Sequence, residues 1–352
     1  MVVASLLSAV VRQYISAWRI TGDDLLNELA TSDDGGHRLH MDKTTGPDPE
    51  RETAPITPTP ATGSSVTGTR GGNRIRFQRS SSWYWPTLNL IGLASVIVIN
   101  FLANWLKFNG QSTGDIVTKD PVSFQPATWA FTIWALIYVL LAVFVVYGFL
   151  PGGRRSRRVR RIGPLFLIAN IANIAWIFLW HWEQFTATLI VMVILLISLV
   201  IIYILAHAPD RQGRAPTRTQ RFAIQLPFSL YLGWICVATL ANTAVWLDRR
   251  HWNDGPFSPT AWAVIFIVVG LILTAGMALF RHDATFAVVF VWAYVAIAQQ
   301  QWGHSKLVAI VAGVAAVGAA AATVFAFMLS FDKRAMSGYF SETHRDDPLP
   351  LE

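Results

Sequence analysis

Residues 184–206 read QFTATLIVMVILLISLVIIYILA, an unbroken run from Gln184 to Ala206 without one charged side chain. A bilayer core about 30 Å thick is crossed by about 20 apolar residues rising 1.5 Å each, so this run is a membrane-spanning helix. Comparable runs surround it: Pro86–Phe108, Ala127–Leu150, Pro164–Trp182, Phe222–Leu247, Thr260–Phe280, Thr285–Gln299 and Leu307–Leu329. The seventh is short for a span, resting on Ala287–Ala298 and ended by Gln299, Gln300 and Gln301. The fold class follows as all-α, a polytopic membrane bundle of about eight helices. Pro86 and Pro164 suit the first turns of their helices, while Pro227 either kinks the fifth helix or marks its beginning.

Composition agrees. Of 352 residues, 53% are hydrophobic and 14% charged, where a soluble chain carries roughly 25% charged. Cys236 is the only cysteine, which excludes an intrachain disulfide or a thiolate metal site. The net charge of +7 would suggest nucleic acid in a soluble protein, but the arginines crowd into two connectors between apolar runs. Arg154, Arg155, Arg157, Arg158, Arg160 and Arg161 occupy one, and Arg211, Arg214, Arg218 and Arg221 the other. That is a topology signal, not a nucleic-acid surface. With those connectors cytoplasmic, alternation places both termini on the same side and leaves 109–125, 183, 248–259 and 300–306 outside. The outer connectors carry only Lys107, Lys119, Arg249, Arg250 and Lys306. An even number of spans in the plasma membrane is the resulting expectation.

Residues 1–82 contain no run long enough to span. Within residues 2–20, Val3, Leu6, Leu7, Val10, Val11, Tyr14 and Trp18 recur at helical spacing, as an amphipathic surface helix would have them. Lys43–Arg79, with Pro47, Pro49, Pro55, Pro58 and Pro60 among Thr, Gly and Ser, lacks the apolar surface to offset its chain entropy, and disorder is expected there. The domain division is a tail at 1–82, a five-helix bundle at 83–247, further helices at 248–330 and a C-terminal tail at 331–352. Gly313, Ala315, Ala316 and Gly318 give the last helix a small-residue packing surface.

No ionisable residue sits at the centre of any run, and His181 and Glu183 fall in a tight turn where water is available. Ion pumping, a metal centre and a catalytic motif are all without support, so the chain reads as a non-enzyme. Its fifteen tryptophans are more informative. Two interfacial belts would be symmetric. Here Trp105, Trp129, Trp134, Trp176, Trp180, Trp182, Trp246, Trp252, Trp262 and Trp302 belong to the outer half, Trp234 and Trp292 to mid-depth, and only Trp83 and Trp85 to the inner interface. Amides share the bias. Asn100 and Asn104 lie at i, i+4, Asn173 precedes Trp176 and Trp180, and Asn242 precedes Trp246. Interhelical hydrogen bonding and ligand contact explain the amides equally well. Each indole alone reads as structural, but the cluster reads as a pocket for a planar, largely apolar molecule, with 109–125 as its lid.

The residues also resemble a known family. Phe124-Gln125-Pro126-Ala127-Thr128-Trp129-Ala130-Phe131, continuing to Trp134 and Tyr138, is similar to the second-helix signature of the tryptophan-rich sensory protein, or translocator protein, family. Asn173 to Trp176 resembles its third helix, and Trp234, Ala238, Thr239, Asn242 and Trp246 its fifth. The likeness covers about 86–247. It implies a five-helix bundle with a lidded cavity and binding of a tetrapyrrole such as protoporphyrin, with no required cofactor. Sterol binding is not implied, because Leu247, Asp248, Arg249 and Arg250 lack the tyrosine of the sterol pattern.

The expected ligand-binding residues are Asn100, Asn104, Trp129, Trp134, Asn173, Trp176, Trp180, Trp234, Asn242 and Trp246. The expected partners are the lipid bilayer, a small hydrophobic ligand and a second copy of the chain, with no nucleic acid. The expected function is that of a sensor, receptor or carrier. The alternatives are a small-solute permease and, behind it, a light-dependent porphyrin-degrading enzyme.

Overall fold

The computed structural model describes residues 83–119, 121–209, 213, 215–250 and 257–342, with side chains as far as Leu329. The amphipathic helix expected at 2–20, the disordered stretch after it and the end of the C-terminal tail lie outside the described residues.

Among the described residues, eight helices are long and apolar enough to cross a membrane. They are α1 (Tyr84–Trp105), α2 (Ile133–Phe149), α3 (Arg157–His181), α4 (Phe185–His207), α5 (Leu226–Arg249), α6 (Pro259–Arg281), α7 (Ala284–Gln301) and α8 (Lys306–Glu342). No strand occurs among the described residues. Helices are the expected answer in hydrocarbon, where every backbone group must find its partner within the segment.

The first five helices close a ring: α1 packs on α2 and α3, α3 on α4, α4 on α5, and α5 back on α2. Phe144, Phe166 and Phe228, from α2, α3 and α5, meet edge-on at 4.8–5.6 Å and fill the basic end of the ring. Outward, Ile190, Ile194, Ile197, Ile201 and Ile204 of α4 stay exposed, a stripe that only lipid can solvate. Helices α6 and α7 pack against α5, and α8 packs on α7 and α6, so α6 and α7 join the ring directly and α8 through them.

Several boundaries depart from the sequence reading. Helix α3 begins at Arg157, capped by the Ser156 hydroxyl accepting from the Val159 N–H, so Pro164 lies inside the helix and not in its first turn. The basic cluster is thus helical. Arg158 explains why: its guanidinium donates to Ala208 O at 2.7 and 3.1 Å and to the Gln220 side chain, tying the ends of α3, α4 and the approach to α5 together. A π-helical turn, Arg221–Gln225, precedes α5, and Pro227 falls in the first turn of α5. Residues Arg218–Arg249 nevertheless form one continuous helical stretch, so Pro227 lies within the fifth helix with the π turn on its N-terminal side. Helix α7 includes the glutamines expected to end it, and α8 continues to Glu342, through the first part of the segment read as tail. In α8 the packing face is made by Ala309, Ala312, Ala315, Ala316 and Ala319, all buried, whereas a β-carbon at Gly313 would meet nothing within 4 Å.

Candidate functional site

The ring encloses a cavity of about 70 Å³ toward the end opposite the arginine cluster. Helix α2 contributes Trp134, α3 Asn173, Trp176 and Trp180, and α4 Met192 and Leu195. Trp234, Ala238 and Asn242 come from α5, four residues apart and therefore on one face. The α1–α2 connector adds Thr113, Val117, Val122, Phe124, Gln125, Pro126 and Phe131. No lining residue is ionisable.

Six of the ten expected residues therefore meet around one space: Trp134, Trp176, Trp180, Trp234, Asn173 and Asn242. Trp176 and Trp180 stack with centroids 5.1 Å apart and planes 19° from parallel, forming a flat double wall. Trp134 stands edge-on to Tyr231 at 5.8 Å, and Trp234 edge-on to Phe131 at 5.9 Å. The Asn173 amide donates to the Tyr231 hydroxyl at 3.0 Å and accepts from Asn100 at 3.4 Å. The Nε1 atoms of Trp176, Trp180 and Trp234 are buried with no acceptor in reach. An indole nitrogen can only donate, so three donors among the lining residues are unsatisfied. Asn242 is different. It meets the Thr188 hydroxyl at 3.3 Å, but that hydroxyl's single proton goes to Phe185 O at 2.8 Å, so the amide can present either end to a ligand.

The other four expected residues lie outside the cavity lining. Asn100 bonds Val96 O and Asn173, one layer behind the wall. Asn104 accepts from the Thr113 N–H at 3.2 Å and holds the lid. Trp129 donates to Gln299 of α7 at 2.8 Å and stands edge-on to Trp292 at 4.7 Å. Trp246 donates to Thr186 and faces the polar outer groove of Arg249, Arg250 and Glu183. Their spacing along each helix was right, but their azimuth aims them at a neighbouring helix or the rim. Met192, Leu195 and Tyr231 carried no mark that sets them apart from other apolar-run residues, whereas Phe124, Gln125, Pro126 and Phe131 lay in the family-like signature without being read as cavity wall.

The connector forms a lid, as its length suggested. A short helix, Thr113–Lys119, supplies Thr113 and Val117 to the cavity. Lys107 and Asn109 take left-handed conformations to turn the chain off α1. The lid is pinned by Lys107–Asp115 and Lys119–Glu183, both at 3.3 Å, by Gln111 donating to Glu183 at 2.9 Å, and by Asn109 donating to His181 O at 3.0 Å. His181 itself is fully buried, with Phe108 of the lid edge-on to its ring, and is not the water-exposed turn residue expected.

The Ser112 backbone and hydroxyl bonds, with Lys107, hold the Asp115 carboxyl below its ordinary range. The Gln111 bond, against partial desolvation and with Lys119, does the same for Glu183. A depressed carboxyl stabilises the pinned form at neutral pH and loses that contribution as pH falls through its folded value. Acrylamide quenching of the cavity indoles is therefore expected to be equal at pH 7 and pH 5 and to increase below about pH 4. It should also increase in about 1 M salt, where the exposed pairs are screened. Equal quenching throughout would mean that these pairs do not hold the lid.

Eight membrane-length helices among the described residues, four of which wall an uncharged, aromatic chamber, define an integral membrane protein of the ligand-binding or transport type. The chain belongs to the TSPO-like protein family, whose model matches residues 86–325. That match continues past residue 247 through α6, α7 and most of α8, beyond the extent of the residue-level likeness. Comparison with curated proteins and with solved structures finds no match to this chain.

Proposed function

We propose that the protein binds a planar, largely apolar ligand of the tetrapyrrole class in the α1–α5 cavity and acts as its sensor or carrier. One observation carries this reading: four indoles and no ionisable group line one space, and three of those indoles have unsatisfied N–H donors. Flat aromatic walls suit a flat ligand, and the donors suit carbonyl or carboxyl oxygens at its edges. Ligand pockets for molecules of this size are typically about 300–1,000 Å³, so the closed cavity of about 70 Å³ has to expand on binding. The lid, held by exposed ion pairs and side-chain hydrogen bonds, is the part that has to move. The plasma membrane, with the arginine-rich connectors and both termini cytoplasmic, is the orientation that the charge asymmetry supports, and a homodimer is the proposed assembly.

Purified protein is expected to show saturable quenching of indole emission by protoporphyrin. Changing Trp176 and Trp180 together to Leu should weaken binding about 10- to 100-fold, from the loss of stacking and aromatic contact area. Unaltered affinity in a folded double variant would exclude the cavity. A permease reading draws on the packing of all eight helices in one body. Uptake of a solute into proteoliposomes that protoporphyrin does not inhibit would favour it.

A further inference from the structure

Between the lid and α2 the chain runs from Pro121 to Thr132 without an α-helix, ending in a 3₁₀ turn at Thr128–Thr132. It supplies Val122, Phe124, Gln125, Pro126 and Phe131 to the cavity wall. Irregular backbone among membrane-spanning helices is tolerated only where protein satisfies its polar groups. Here the partners come from α7. The Ala127 N–H donates to Ala296 O at 3.1 Å, Gln301 Nε2 donates to Val122 O at 3.3 Å, and Trp292 Nε1 donates to Ala130 O at 2.9 Å. Trp129 returns a bond to Gln299 at 2.8 Å, and Phe124 stands edge-on to Phe266 of α6 at 5.7 Å.

These contacts are concentrated on the helix that looks least like a membrane span. Helix α7 has only 18 residues, and 67% of it is buried, against 33% for α1 and for α6. An unpaired glutamine would be costly facing lipid; Gln301 is 4% exposed and bonded, and Gln299, exposed at the helix end, bonds Trp129. A helix that spends its polar side chains on one irregular segment of another element is acting as that segment's support.

We propose that α7, braced by α6 and α8, is the fixed jaw of the ligand cavity: it anchors the 121–132 hinge on which the lid opens and so sets the rate of ligand entry and release. The inference rests on reading the cavity as a ligand site, but its first readouts need no ligand. Two variants of the full chain test it. Gln301→Leu removes the bond to Val122 and keeps every tryptophan, and Trp292→Phe removes the bond to Ala130 and keeps a ring. Trp302→Phe, at a position 67% exposed beyond the same helix end, is the control.

In both test variants, amide hydrogen exchange over residues 121–132 is expected to rise about tenfold, the equivalent of one lost hydrogen bond, with the rest of the bundle unchanged. Acrylamide should reach the cavity indoles more readily in Gln301→Leu, and bound protoporphyrin should dissociate about tenfold faster. The control should match the wild type throughout. Unchanged exchange and unchanged acrylamide access in both variants would overturn the proposal, as would faster exchange combined with an unaltered release rate. If the wild type binds no protoporphyrin while exchange and acrylamide access still rise, the jaw stands and the tetrapyrrole reading falls.

Discussion

Replacing Gly270 with alanine is expected to destabilise the bundle strongly, while the same change at Gly276, six residues along the same helix, is expected to do almost nothing. A β-carbon at Gly270 would sit 2.4 Å from the Tyr294 hydroxyl and 2.7 Å from Phe290 Cε1. Both rings are fully buried in α7, and Tyr294 donates to Ile267 O at 2.7 Å, so neither can retreat without giving up packing or that bond. Overpacking costs about 1–3 kcal/mol and a displaced buried hydroxyl about 1–3 more, giving a loss of several kcal/mol at Gly270. A β-carbon at Gly276 meets nothing within 4 Å. There the change should fall within about 0.5 kcal/mol of neutral. Equilibrium unfolding in mixed micelles measures both. Equal stabilities for the two variants would mean that the close approach of α6 to α7 is not a feature of the folded protein.

The second large effect is expected at Asn173. Leucine there would leave the Tyr231 hydroxyl, in a residue 2% exposed, without its donor, and would remove the acceptor of Asn100. Stranding buried polar groups in this way costs about 2–3 kcal/mol. Adding Tyr231→Phe should recover most of the loss, because removing both partners of a buried bond is far cheaper than removing one. Recovery in the double variant, read from the same unfolding measurement, would show that Asn173 serves α3–α5 packing. A cost that persists would shift the weight of its role to the cavity. Asn100 retains its bond to Val96 O at 3.0 Å in either case, which limits how far the damage spreads along α1.

The eight spans were legible because apolar composition alone dictates a helix in lipid, and no tertiary detail is needed to find one. The cavity was legible in part for a related reason: Trp176 and Trp180 share a face at i, i+4, and helical spacing carries directly into space. What spacing cannot give is the rotation of one helix against the next. Trp129 and Trp246 satisfy the same sequence pattern and point elsewhere, Trp129 to Gln299 and Trp246 to Thr186. Pro164 was misplaced because the apolar run starts there, whereas the helix starts among arginines, of which Arg158 bonds Ala208 O and the Gln220 side chain. The role of α7 was hidden most deeply. Three consecutive glutamines read as the exit from a membrane, and only their partners across the bundle show that Gln301 is a buried structural contact and that Gln299, at the surface, bonds Trp129.

The modest apolarity of α7 has a consequence for how the chain is made. A segment ending Gln-Gln-Gln partitions weakly into hydrocarbon on its own, since each amide must leave water unpaired. Its place between α5 and α8 supplies what the lipid withholds, so stable insertion of α7 waits for α8 to emerge and close over it. Concerted insertion of the last three helices is therefore expected, with α7 held less firmly in a chain that stops before Lys306.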